Sequence, residues 1–266
     1  MFDKTQLQHV LERYQGLFPV KELGYGTVRD YCNSCDHIPL LSNYQGDLKD
    51  FQRPWTVKAI LGSCPPGSQL LEIGAGEPLV AQMLAELGYS VTVVDPYDGS
   101  ALGPSDHEGF SRVYDRIKIL RCLFPNLPEG TQPNSFDAIY SISVLEHMQE
   151  PVLTTVFEGI RSFLKPKGLS LHSIDHVTEG TDTEWHRQNL IRILSHQSAL
   201  AGAHGDVAAA VTELDRQLRK DLETYYLSAS GHNLWRGPTP YDQFPFRKVV
   251  SILSSVRMNP EGLKRT

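Results

Sequence analysis

Residues 70–96 carry the feature that most limits what this chain can fold into. Leu70–Pro78 reads LLEIGAGEP and Val91–Pro96 reads VTVVDP, with a helical stretch between them. An apolar strand that closes on Gly74 and Gly76 must turn sharply, because glycine accepts positive φ and has no Cβ. From Pro78 to Leu87, apolar Leu79, Val80, Met83, Leu84 and Leu87 recur at helical spacing, and Gly88 stops the run. A strand, a glycine turn, a helix and a second buried strand make one unit of a parallel α/β sheet.

The same grammar continues along the chain. Ile117–Leu120, Phe136–Ser141 and Leu169–Ile174 read as further strands, and Pro151–Leu164 as a helix ended by Pro166 and Gly168. These strands are apolar runs rather than strict alternations, so both faces of the sheet must be covered. The expected fold is α/β: a doubly wound, Rossmann-like, mostly parallel sheet over residues 57–176 with helices on both faces. Residues 1–56 read as an N-terminal helical lid, with Leu7, Val10, Leu11 and Tyr14 on one face and an irregular stretch from Gly24 to Pro54. Residues 177–266 read as a helical insertion, an amphipathic helix over 206–227, followed by terminal edge strands in FPFRKVVSILSSVRM.

Asp95 ends the second strand, where a carboxylate can accept both hydroxyls of a ribose. Two ligand classes use this layout, dinucleotides and S-adenosylmethionine (SAM). The dinucleotide fingerprint G-x-G-x-x-G needs a third glycine, and Leu79 stands there. Glu72, two residues before the first glycine, also points away from it.

With these residues in view, the chain resembles the class I SAM-dependent methyltransferases. The resemblance rests on EIGAG (Glu72–Gly76), Asp95, SFDAIYSISVLEHM (Ser135–Met148) and FLKPKGLSL (Phe163–Leu171), in the family's order, and it covers Gln69–Asp175. It implies a methyltransferase with SAM as cofactor. It also implies that Gly74 and Gly76 face the amino-acid part and sugar, that Glu72 orients their loop and that Asp95 holds the ribose. Ser141 and Ile142 would line the pocket near the methionine moiety. Cys122 and Leu123 fall where the family often has an acid near adenine, so apolar and backbone contacts are expected there. Pro78 replaces a common glycine, and a proline suits a first helical turn.

The acceptor implied is an O or N atom of a small molecule. Two other readings stand beside this one: a non-catalytic SAM-binding regulatory protein, and a nicotinamide-dependent oxidoreductase, against which Leu79 argues. In an open α/β sheet the ligands lie beyond the carboxyl ends of the strands. Those ends hold Ser143, Glu146, His147, Ser173, Asp175 and His176. A base is needed only where a hydroxyl must lose its proton, and histidine, with an ordinary pKa of about 6.5, suits that task. His176 and His147 are the candidates. Tyr225, Tyr226, His232, Trp235 and Arg236, with Tyr44 and Trp55, are expected to wall the acceptor site; packing of the insertion onto the sheet is the alternative for them.

Composition narrows the partners. The net charge of −6 and the lack of a basic stripe argue against nucleic acid. Four cysteines are too few for a disulfide scaffold and suit a reducing compartment. Cys32 and Cys35 form a C-x-x-C with no second pair, so no metal site is expected. The first residues lack the pattern of a secretory signal, and no apolar run approaches the ~20 residues of a membrane span. The expectation is a cytoplasmic protein without a membrane partner, whose oligomeric state and acceptor identity the sequence leaves open.

Overall fold

In chain order the strands are β1 (Leu23–Tyr25), β2 (Gln69–Ile73), β3 (Ser90–Asp95), β4 (Lys118–Arg121), β5 (Phe136–Ile142), β6 (Leu164–Gly180) and β7 (Arg247–Arg257). A computed structural model describes residues 2–99 and 103–260. Within those residues the strands form one sheet in the order β1-β7-β6-β5-β2-β3-β4. Strands β2 to β6 pair in parallel, while β7 runs antiparallel to both β6 and β1. This is the doubly wound sheet the apolar runs imply. Its order reverses at β2, which pairs with β3 on one side and β5 on the other. The crevice beyond the carboxyl ends of β2 and β5 is therefore the topological switch point, where such sheets bind ligands.

The helices are α1 (Lys4–Tyr14), α2 (Val28–His37), α3 (Lys49–Ser63), α4 (Leu79–Glu86), α5 (His107–Val113), α6 (Val152–Phe163), α7 (Thr183–Ala201), α8 (Val207–Lys220) and α9 (Ala229–Arg236). Two apolar cores flank the sheet. One gathers α1, α3 and α4 with Leu70, Val91, Val93 and Leu171. The other gathers α6, α7 and α8 with Leu71, Ile139 and Ile174. Alternate residues of one strand thus enter opposite cores, as the strand period of two requires.

Several elements differ from the sequence reading. The irregular stretch before Pro54 contains β1, α2 and the start of α3, and β1 supplies an edge strand paired with β7 rather than only a lid. The boundary read at residue 56 falls inside α3. Pro54 also lies inside α3 and does not break it. A proline leaves the carbonyl four residues earlier without its helical donor. Here that carbonyl belongs to Asp50, and the Ser42 hydroxyl donates to it. The fifth parallel strand is much longer than the Leu169–Ile174 run, because β6 continues to Gly180 along β7. Among the described residues, no helix is long and apolar enough to cross a membrane.

Candidate active site

A cleft of about 510 Å³ opens at the switch point, within the usual range for small-ligand sites. Its floor is the glycine turn after β2. Gly74 has φ +67° and Gly76 φ +57°, both left-handed. A Cβ on Gly74 would meet both methyls of Val144 at 2.9 Å, so only glycine lets that valine pack there. A Cβ on Gly76 would meet, among the described residues, only Pro104, at 3.8 Å, and Gly76 lines the cleft. The two glycines serve different ends: one allows close packing, the other keeps ligand space clear.

Asp95 completes the floor. Its Oδ2 accepts from the Gly76 amide at 3.0 Å and its Oδ1 from the Tyr97 amide at 2.9 Å. The Tyr97 hydroxyl donates back to the Gly76 carbonyl at 3.0 Å, closing the two turns on each other. Behind them, buried Glu72 accepts from the Tyr140 hydroxyl at 3.0 Å. Burial raises the Glu72 carboxyl to about 7, opposed by that hydrogen bond and by Arg53. Glu77, on the rim, accepts from the Tyr114 hydroxyl at 2.7 Å. Leu123, Phe124, Val94 and Val156 supply apolar wall.

The other half of the cleft is built by α3 and the residues after β5. Lys49 and Arg53, one helical turn apart, both line it. Their placement follows from the anchoring of α3. The Asp50 carboxylate accepts from the amides of Asn43, Gln45 and Gly46 and so pins the preceding loop to the first turn. Gln52 Nε2 donates to Asp175 at 2.7 Å and to Ser251 at 2.6 Å. Residues 50 and 52 are thereby fixed inward, and 49 and 53 face the cleft. Ser143, in the left-handed region at φ +52°, lies 3.0 Å from Gln52 Oε1 and from Asp175 Oδ2. His147, on the 3₁₀ turn Leu145–His147, stands beside Met148 in the wall. Desolvation first, and Lys49 second, lower its pKa below the ordinary 6.5.

Below this wall lies a buried acidic pair. Glu146 Oε1 accepts from the Asp175 amide at 3.1 Å, and Glu146 Oε2 has no partner among the described residues. Burial and the neighbouring Asp175 raise Glu146 well above the carboxylate range, and burial pushes Asp175 up to about 6. No group of three or more His, Cys, Asp or Glu side chains among the described residues could hold a metal ion.

Of the positions singled out in the sequence, Glu72, Gly74, Gly76, Asp95, Leu123, Ile142 and His147 line this cleft. Others do not. Ser141 points to the opposite face, where its hydroxyl meets His172 Nδ1 at 2.7 Å; strand alternation puts Ile142 in the cleft instead. Cys122 lies outside the lining, and its neighbours Leu123 and Phe124 take that place. His176 also falls on the far face, buried against Asp215 of α8 at 3.1 Å, so it cannot reach a reacting atom in the cleft. Asp175, next to it, is the residue turned toward α3.

The aromatic cluster is structural in its contacts. Trp55 is buried in the α3 core. Tyr225 stacks on Tyr31 with centroids 4.8 Å apart, and Tyr226 lies under the Lys248 ammonium at 4.3 Å. His232 stacks on Phe246, the Tyr44 hydroxyl donates to the Cys35 carbonyl, and Arg236 donates to the Thr239 carbonyl. Trp235 Nε1 donates to Asp47 at 3.0 Å and so clips α9 to the loop that leads into Lys49. None of the seven lines the cleft. Lys49 and Arg53 were missed from sequence. The available signal was a pair of cations four residues apart in a stretch otherwise destined for burial.

The cleft fits the chemistry of SAM. It offers an open glycine turn, a buried carboxylate at the end of β3, apolar wall for a purine and a guanidinium for a carboxylate.

Comparison with known proteins gives the same direction. A family model described as a methyltransferase domain matches residues 47–232. The ubiquinone biosynthesis O-methyltransferase, mitochondrial, of Homo sapiens is 33% identical over 103 residues, which are 38% of this chain and 27% of that one. The ubiquinone biosynthesis O-methyltransferase of Xanthomonas campestris pv. campestris is 30% identical over 105 residues, 39% of this chain and 41% of that one. The chain thus spans well under half the length of these relatives. Among solved structures, phosphoethanolamine N-methyltransferase 2 of Haemonchus contortus, in complex with SAM, has a TM-score of 0.46 and 18% identity, over 88% of this chain and 56% of that one.

Proposed function

This chain belongs to the class I SAM-dependent methyltransferases, and from that premise we propose that it methylates a hydroxyl oxygen of a small-molecule acceptor with His147 as the base. The observation that carries the reading is the position of His147, exposed in the wall of the cleft beyond β5, with its pKa lowered from the ordinary 6.5 by the surrounding protein and by Lys49. A neutral imidazole at the acceptor end can take up a proton, as from a hydroxyl. The name O-methyltransferase carried by the relatives supports the same choice.

SAM, when bound, supplies an electrophilic methyl group whose departure needs no acid. The chain's own residues would do the rest. Gly76 leaves space over the turn, and Asp95, already oriented by two amides, has lone pairs left for sugar hydroxyls. Arg53, close enough to Glu72 to lower its pKa, would take the carboxylate at the amino-acid end. Leu123 and Phe124 would hold the purine. His147 would accept the hydroxyl proton as the oxygen bonds to the methyl carbon and the C–S electron pair stays on sulfur. Holding the two reactants in line and excluding water then supplies much of the rate.

The test is methyl transfer from labelled SAM to paired acceptors, catechol against ortho-phenylenediamine. Label on catechol oxygen supports the reading. Label on the diamine alone would contradict it.

A further inference from the structure

The two cations of the cleft serve different ends of it. Arg53 faces the glycine turn, where it acts on Glu72 and Tyr114. Lys49 faces the other end, where it acts on Glu146, His147 and Asp175. The carboxylates that line the cleft, Glu72, Glu77, Asp95 and Asp98, all come from the β2 and β3 side. The Lys49 ammonium makes no hydrogen bond or ion pair among the described residues. Its acidic neighbours lie one layer deeper, buried: Asp175 Oδ1 is held by Gln52, Asp175 Oδ2 by Ser143 and Glu146 Oε1 by the Asp175 amide, while Glu146 Oε2, without a partner among the described residues, belongs to a carboxyl that burial and Asp175 raise well above the carboxylate range.

Two like charges one turn apart on a helix face repel. Around Lys49 the wall is otherwise apolar or neutral: Ile142, Val144, Met148 and His147. A neutral acceptor filling this end would strip water from an ammonium and leave it unpaired, which is costly. An acceptor with an anionic group would pair it. A charge left unpaired by the wrong ligand is a common source of specificity.

We propose that the acceptor carries a carboxylate beside the hydroxyl that is methylated, and that Lys49 receives it. This rests on the methyltransferase reading above. Lys49 is a specificity residue here, and His147 keeps the proton transfer. A carboxylate bound by Lys49 also places negative charge near His147, which favours the imidazolium formed when the proton arrives.

The test uses an inert probe, so that it does not depend on turnover. The protein is saturated with S-adenosylhomocysteine, then titrated with benzoate or its uncharged isostere benzamide, following the His147 ring resonances. Benzoate should bind saturably and about ten-fold tighter than benzamide, the scale of one partly desolvated ion pair. Lys49→Met should bring benzoate to the level of benzamide, Lys49→Arg should retain the preference, and both variants should keep the affinity for S-adenosylhomocysteine. Equal binding of the two probes to the unsubstituted protein, no saturable benzoate binding, or a preference that survives Lys49→Met would each overturn the proposal. Failure of S-adenosylhomocysteine to bind at all would instead overturn the methyltransferase reading on which it stands.

Discussion

Asp95 accepts a hydrogen bond from the Gly76 amide at 3.0 Å, across 19 residues of chain. That single contact joins the end of β3 to the turn after β2, the two places from which a nucleoside would be held. The carboxylate is oriented before any ligand arrives, so little ordering entropy remains to be lost on binding.

The turn itself is open to a minimal probe. Gly76→Ala adds a methyl to the lining of the cleft and forces a left-handed φ on an L-residue, at about 1–2 kcal/mol. Its thermal midpoint should fall by a few degrees, and affinity for S-adenosylhomocysteine should fall well beyond that strain. Calorimetry and titration on the same sample check both. A variant that loses stability and keeps its affinity would place the ligand elsewhere.

His147→Ala should lower kcat by about 10²–10⁴-fold, the usual contribution of a positioned base, with little change in affinity for S-adenosylhomocysteine. Rapid-quench turnover and equilibrium titration separate the two effects. An unchanged kcat would remove His147 from the chemistry.

The pH profile follows from the same residue. A base must be deprotonated to act, so activity is lost as pH falls through the His147 pKa. Desolvation and Lys49 hold that pKa below 6.5, so kcat/KM should be flat near neutrality and drop only on the acid side. Lys49→Met removes the second cause and should move the acid limb to higher pH. A limb that stays in place would mean another group sets it.

Glu72 gives a stability test. Its carboxyl rises from 4.5 to about 7 on folding, first because of burial. A raised acid stabilises the fold fully below pH 4.5, and that contribution is lost as pH rises through 7. The linkage is on the order of 3 kcal/mol at 1.36 kcal/mol per pH unit. Glu72→Gln keeps an acceptor for the Tyr140 hydroxyl and has no charge to bury. Its stability relative to the unsubstituted protein should therefore rise between pH 5 and pH 8, by urea unfolding. The same difference at both pH values would contradict the shift.

The sheet and the glycine turn were legible because their signals are local. The glycine pair closes one apolar run directly, and Asp95 closes the next, 19 residues after Gly76. The misreadings have physical causes. Pro54 falls in a stretch that reads as irregular, yet it lies inside α3, where Ser42 supplies the donor it removes. The helix α7 escaped notice because polar Asn189 and Gln197 occupy its buried stripe beside Leu190, Ile193, Leu194 and Leu200. His176 looked exposed to the cleft because it follows a strand end in sequence. The strand in fact continues to Gly180, and alternation turns His176 toward Asp215. The aromatic residues near the C-terminus read as walls of the acceptor site, and each packs on a partner of its own instead. Their partners, Tyr31, Phe246 and Asp47, lie far away in the chain or on another element, which no local pattern displays.

The central claim is that the glycine turn and Asp95 together hold the nucleoside of the methyl donor. Isothermal titration of S-adenosylhomocysteine into the unsubstituted protein and into Asp95→Ala addresses it most directly. One site per chain is expected, with a loss of about 1.5–3 kcal/mol in the variant, as for hydrogen bonds to a charged group. Equal affinity in the two proteins would contradict it.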